Sequence, residues 1–487
     1  MIEKIKETGI YFIGTLGVAI LSFVISLLYT RMFSPEDYGT YSLIAALYNL
    51  LFQLLTGWMT HSILRYYPGE NERDGGIVFR NTILRIHGIL FSFFCLIIFV
   101  LLFYYRKSKI LCSLLSVYLG VFLFEGLLLI FNAFLRAEGN SKKYSINTIL
   151  NSIIKSISIM VLFYICKYTS ITVIVISLFV AECFQCIYVY IKFHWFDVFR
   201  KGCFDIQLAK KIIKFGYPLI GVSIIFNILT YSDRYIISFF ENSSNVGLYS
   251  YGYNMGYTLF YTMTNTIMLG AYPRIVQEWK VNGRKGAENA ITNYLSMFFY
   301  LMIPAMLGVV AIGNKMIRTL CDESFWNTSS VFIITCISYT LYGFLQYTNK
   351  AWELTARTKM ILFLNIIAAI INIILNFTLI PYYGFVIAAY TTMFSFLVYI
   401  ILSLTLSKKI FSFRIELTTI CKICISAFFM FILTILIDKR LSDGFLYLLL
   451  EIAIACFVYF ISLVLIRDKN ILNFIKRLRM MRINCEK

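Results

Sequence analysis

The stretch FGYPLIGVSIIFNILTYSDRYIISFF, Phe215 to Phe240, decides how the chain must be read. Its only charges are the adjacent Asp233 and Arg234. At a rise of about 1.5 Å per residue, a run of this length crosses a hydrocarbon core of about 30 Å as one helix. The run is not uniformly apolar, because Ser223, Asn227, Thr230 and Arg234 recur at spacings that keep them on one helical face. In lipid a polar side chain needs a protein partner or water, so this face turns toward a bundle interior or a hydrated cavity.

Comparable runs extend in both directions, at approximately 8–30, 40–60, 82–104, 110–131, 145–166, 171–191, 212–237, 246–272, 290–313, 329–352, 360–381, 383–406, 418–437 and 445–466. The 487 residues are 60% hydrophobic and 14% charged, with a mean hydropathy of +0.77, outside the range of soluble globular domains. Short alternating segments of the kind a β-barrel needs are missing from the sequence. The expectation is an all-α polytopic membrane protein of about fourteen transmembrane helices. Lys4 and Lys6 before Ile10 to Tyr29 resemble a signal peptide, but the apolar stretch is long and lacks a small-residue cleavage site, so it reads as the first span.

The formal charge of +19 raises the question of nucleic acid, yet the 44 Lys and Arg are scattered over short loops without a basic module, so no nucleic-acid partner is expected. About 31 of them fall in loops on one side and about 9 on the other, which places both termini in the cytoplasm. Arg106, Lys107 and Lys109 dissent locally, as a single mis-read helix would explain. The 12 Cys lie mostly inside apolar runs; Cys183/Cys186 and Cys421/Cys424 read as small buried hydrophobes. With His61, His87 and His194 the only histidines, no metal site and no cofactor are expected.

No loop has room for a soluble catalytic domain, so an enzyme is not expected. SPEDYGTYS (Ser34 to Ser42) lines up with NSSNVGLYS (Asn242 to Ser250), and the surroundings of Asn147 with those of Asn365. An even number of helices per repeat gives two six-helix lobes in the same orientation, 1–200 and 201–410, with 411–487 adding two spans and a basic cytoplasmic tail.

Polar stripes recur on the second span (Ser42, Asn49, Gln53, Thr56, Thr60), on the eighth (Asn254, Thr258, Tyr261, Asn265) and more mildly on the first (Thr15, Ser22, Ser26, Tyr29). Their distribution over both repeats points to a central cavity; interhelical hydrogen bonding in a static core is the competing account. On the eleventh span Asn365, Asn372 and Asn376 share a face and serve equally as structural glue. Lys155 and Glu182 fall at matched depth in adjacent spans, which suggests an ion pair. Glu125 has no evident partner, and Glu125 and Glu182 are the candidates for coupling to a proton or sodium gradient. Asp233 is read as packing between helices and Arg234 as facing the cavity, since consecutive side chains diverge by about 100°.

TRMFSPEDYGTYSLI (Thr30 to Ile44), Phe215 to Phe240, VGLYSYGYNMG (Val246 to Gly256), AYPR (Ala271 to Arg274) and LNIIAAIINIILNFTLIPYYGFVIAAY (Leu364 to Tyr390) together resemble the bacterial polysaccharide transporters, the Wzx-type lipid-linked oligosaccharide flippases of the multidrug, oligosaccharidyl-lipid and polysaccharide exporter superfamily. Each motif is loose, and their order over residues 1–410 carries the resemblance. It implies alternating access around a cavity faced by spans one, two, seven and eight, and transport of an undecaprenyl-diphosphate-linked oligosaccharide across the bacterial cytoplasmic membrane for O-antigen, capsule or similar glycan. It also implies membrane lipids, a polysaccharide polymerase and glycosyltransferases as partners. By position Arg31 and Arg234 match basic sites of the family's motifs and Arg274 closes AYPR; Lys155 joins them by charge alone, and Asn49, Gln53, Asn227, Asn254 and Asn265 are the amides expected around the sugar. A multidrug antiporter, a peptidoglycan-precursor flippase and a membrane-embedded glycan polymerase or ligase are the alternatives.

Overall fold

Without water, each peptide group in a membrane span must find its hydrogen bond within the segment, and every apolar run of this chain is helical. The computed structural model describes residues 2–74, 76–192, 198, 202–408, 410–411, 416–468 and 470–472, with the side chains of 2–13, 16, 69–74, 192, 217–219 and 222–223 left aside. The expected lobe boundary near residue 200, His194, the side chain of Ser223 and the tail after residue 472 lie outside the described residues. The helices are α1 (Ile2–Met32), α2 (Pro35–Asp74), α3 (Ile77–Tyr104), α4 (Lys109–Ala137), α5 (Ser141–Met160, continued by a π turn Val161–Ile165), α6 (Val173–Lys192) and α7 (Ile206–Phe240). The run Ser243–Leu320 breaks at Gly283, where φ is 60° and ψ −149°, into two arms, α8 (243–282) and α9 (284–320). There follow α10 (Ser329–Leu354), α11 (Thr358–Tyr383), α12 (Ile387–Ser407), α13 (Leu417–Asp438) and α14 (Phe445–Leu465).

Each expected span lies within one of these helices or coincides with it to within a few residues. Among the described residues 11 segments, one of them the whole of Ser243–Leu320, are long and apolar enough to cross a membrane. The protein is therefore a multi-pass membrane protein. Both helices flanking the basic turn at Arg106 are present and apolar.

The aligned segments start their helices in the same way. Before α2 the Ser34 hydroxyl accepts from the Asp37 backbone N–H at 3.2 Å, and Pro35 occupies the first helical position, where its missing N–H costs nothing. Before α8 the Asn242 side chain accepts from the Asn245 N–H at 2.9 Å, the same cap 208 residues later (245−37 = 208).

The chain forms two compact units, Met1–Tyr251 with Asn365–Ala388, and Gly252–Leu364 with Ala389–Lys487. In the first, an aromatic core joins α2, α3 and α4: Tyr48 stacks on Tyr118 at 4.2 Å and Phe94 on Phe122 at 4.1 Å. In the second, Tyr253, Tyr257 and Tyr261 of α8 pack edge-on against Tyr339 of α10.

The last two helices are tied to α9 by buried charges. Lys315 of α9 contacts Glu451 of α14 at 2.5 Å and Asp438, at the end of α13, at 3.2 Å. At the other end the Tyr300 hydroxyl donates to Asp468 at 2.7 Å. Nothing in the sequence singled out Lys315 or Glu451, because their relation appears only once α9 and α14 are neighbours.

Candidate functional site

Within the first unit, α4, α5 and α6 enclose a cavity of about 390 Å³, reached also by Val18 of α1 and Thr60 of α2. The sequence of α5 explains how the wall forms. Ser145 and Ile149 turn one face to Gly14 and Gly17 of α1, while Asn147 and Asn151 line the cavity from the other side. From α4 come Glu125, Asn132 and Arg136, and from α6 Glu182 and Gln185. The amides form a chain: Gln185 Nε2 donates to Asn147 Oδ1 at 2.6 Å, and Asn147 Nδ2 donates to Asn132 Oδ1 at 2.7 Å.

The two carboxylates are held differently. Glu125 accepts a hydrogen bond from the Tyr48 hydroxyl, and the Tyr118 ring stacks on Tyr48. Glu182 is 3% exposed, and among the described residues its Oε2 has no hydrogen-bond partner. A buried carboxylate oxygen left without a donor carries a large desolvation penalty, which a proton or a bound cation relieves. The expected direct ion pair is not formed, since no salt bridge among the described residues joins Lys155 to either carboxylate. Matched depth placed the groups on one level and could not fix the lateral gap between helices.

Asp233 packs between helices as expected, while Arg234 is buried and lines none of the described cavities. Asp233 is fully buried and accepts from the Tyr249 hydroxyl of α8 at 2.5 Å and from Asn376 Nδ2 of α11 at 2.6 Å. It binds helices together, and Asn376 and Asn372 of the α11 stripe serve the same junction. Arg234, 3% exposed, lies over the Tyr231 ring at 4.9 Å.

The other expected site residues are spread out. Arg31 is exposed at the end of α1, while Asn49 and Gln53 on α2 and Asn227 on α7 are half-buried. The Asn49 amide donates to Ala45 O of its own helix at 2.8 Å, and Gln53 lies along its own helix against Gly57. Asn254, Asn265 and Arg274 belong to the second unit, where Arg274 lines a separate cleft. The structure thus gathers Glu125 and Glu182 about one cavity, leaves Lys155 outside its lining, and adds Asn132, Asn151 and Gln185, with Tyr48 bonded to Glu125, none of which the sequence singled out. Asn151 stands four residues before Lys155 and Gln185 three after Glu182, a same-face spacing that offered a signal.

Residues 5–279 match the family described as polysaccharide biosynthesis protein, and residues 218–378 match the MatE family. The chain is 24% identical over 169 residues to the probable low-salt glycan biosynthesis flippase Agl15 of Haloferax volcanii, a match covering 35% of this chain and 36% of that protein. It therefore spans little more than a third of that relative's length. Its fold is similar to that of the lipid II flippase MurJ in an inward closed conformation, with a TM-score of 0.74 at 18% identity, covering 93% of this chain and 97% of the other. A multidrug resistance MATE family transporter of the MOP superfamily, in an inward-facing conformation, gives a TM-score of 0.67 at 12% identity, covering 82% of this chain and 97% of the other.

Proposed function

The chain belongs to the polysaccharide biosynthesis protein family, and from that premise we propose that it is a flippase for lipid-linked oligosaccharide. The substrate is an undecaprenyl-diphosphate-linked repeat unit, carried from the cytoplasmic to the external leaflet of a bacterial cytoplasmic membrane by alternating access of two lobes, 1–200 and 201–410. Both termini are cytoplasmic, glycosyltransferases supply the substrate, and a polymerase consumes it to build O-antigen, capsule or a related glycan. The observation that carries this reading is the family match over residues 5–279.

The chemistry of the chain supports it. A diphosphate calls for cations, supplied by Arg31, Lys155, Arg234 and Arg274, and arginine meets paired phosphate oxygens with two parallel hydrogen bonds. Asn49, Gln53, Asn227, Asn254 and Asn265 offer donors and acceptors to saccharide hydroxyls. Glu125 and Glu182 couple the cycle to protons or sodium, and the unpartnered Glu182 oxygen is the feature that favours this role. Moving a lipid headgroup breaks no covalent bond, so the work is that of a transporter.

The MatE match and the MATE-like fold favour a multidrug antiporter as the second reading, and the MurJ-like fold favours a peptidoglycan-precursor flippase. Deletion of the gene separates them. The flippase reading expects lost surface glycan and accumulated lipid-linked repeat units, both restored by the wild-type chain. Intact surface glycan with heightened drug sensitivity would replace it with the antiporter.

A further inference from the structure

The bend at Gly283 leaves a cleft of about 680 Å³ between α8 and α9, lined by Arg274, Glu278 and Asn282 from one arm and Lys285, Asn289 and Asn293 from the other. The cations around this bend are not equivalent. Arg284 is neutralised by Glu288 at 2.8 Å. Arg274 and Lys285, both in the lining, have no ion pair or hydrogen bond among the described residues. The carboxylate of the lining is engaged on its own helix, where Glu278 Oε2 accepts from Asn282 Nδ2 at 2.6 Å, and it borders Gly286 of the other arm.

We infer that this cleft binds the phosphate of a lipid headgroup. Two unneutralised cations face a volume typical of small-molecule sites, and amides on both arms supply neutral donors beside them. The guanidinium gives a planar fork for two oxygens and the ammonium a point charge, a combination suited to a diphosphate or a phosphodiester. The inference rests on the lipid-linked-glycan reading above, which places this bend on the cytoplasmic face. It goes beyond that reading in making the cleft a site of its own, built by Lys285 and three asparagines as well as Arg274. Two headgroups share the chemistry, the carrier diphosphate and an ordinary anionic phospholipid.

Calorimetric titration of the purified full-length protein in a neutral detergent tests it, with inorganic pyrophosphate and dihexanoylphosphatidylglycerol as probes. Arg274→Gln and Lys285→Gln should each weaken the preferred probe by about tenfold, the loss of one charge-assisted contact. Asn289→Asp, at an exposed position, should weaken it as well without removing a packed group. Glu278→Gln should tighten it, because a repelling charge is lost. Lys280→Gln, exposed and outside the lining, should change it by less than about twofold. Preference for pyrophosphate assigns the site to the carrier diphosphate, and preference for the glycerol lipid assigns it to the surrounding membrane. Binding of neither probe, or equal losses from Lys280→Gln and Arg274→Gln, would overturn the site. A chain that restores surface glycan but binds neither probe loses only the cleft; one that binds a probe but restores no glycan keeps the cleft and loses the flippase reading.

Discussion

Gly39 of α2 and Gly247 of α8 meet backbone to backbone: a Cβ on Gly39 would overlap the carbonyl oxygen of Ser243, and a Cβ on Gly247 would overlap that of Pro35. Each such Cβ would also lie 2.9 Å from the other glycine's backbone nitrogen. The relation is reciprocal because the two glycines hold the same place in the two aligned segments, five residues after matching helix caps. The obstacle is backbone, so no rotamer change relieves it.

Gly39→Ala and Gly247→Ala should therefore each destabilise the protein by about 1–3 kcal/mol, the usual cost of overpacking, as α2 and α8 are forced apart. Gly221→Ala in α7, with nothing among the described residues within 4 Å of the added carbon, is the control and should be neutral or stabilising. Thermal unfolding in detergent reads the difference, and equal midpoints for all three would remove the close crossing.

Lys315→Met leaves Glu451 buried without its cation and should cost about 3–5 kcal/mol. Adding Glu451→Gln should recover part of that loss, since the stranded charge is gone. Folded yield and unfolding temperature measure both. An additive double variant would mean that the pair does not tie α14 to α9.

In the first unit, Glu182→Gln retains shape and removes a charge that no hydrogen bond supports at Oε2. Normal abundance with transport that no longer responds to the proton or sodium gradient is expected. Tyr48→Phe removes the donor to Glu125 and should shift the response without abolishing it. Unchanged gradient dependence in Glu182→Gln would take the cavity out of coupling.

Cysteine labelling in cells should find residues near Lys285 shielded from an impermeant reagent and residues near Asn242 and Asp438 reactive. The opposite pattern would invert the orientation drawn from the charge bias.

The helices were legible because lipid forces each span to be long, apolar and internally hydrogen-bonded, so length and periodicity suffice to find Phe215 to Phe240 and its counterparts. The role of Asp233 was legible as well, because angular position separates it from Arg234. Partners across helices were not. Tyr48 for Glu125 and Glu451 for Lys315 depend on which helices pack together and at what height, and no local spacing encodes that. The stripes are ambiguous in another way: Thr56 and Thr230 donate to Phe52 O at 2.7 Å and Phe226 O at 2.8 Å of their own helices, so a hydroxyl on a stripe does not by itself require a wet cavity.

The central claim is tested most directly in proteoliposomes, by following a fluorescent polyprenyl-diphosphate-linked oligosaccharide from one leaflet to the other with purified wild-type chain and with Arg234→Ala and Arg234→Lys. Arg234 is buried over Tyr231, and a lysine cannot reproduce the two-pronged contact that a guanidinium would offer the proposed diphosphate. The account predicts rapid transfer by the wild type, partial transfer by Arg234→Lys and none by Arg234→Ala at equal folded protein. Wild-type vesicles that leave the lipid-linked sugar in its original leaflet, or an Arg234→Ala protein that moves it at the wild-type rate, would contradict it.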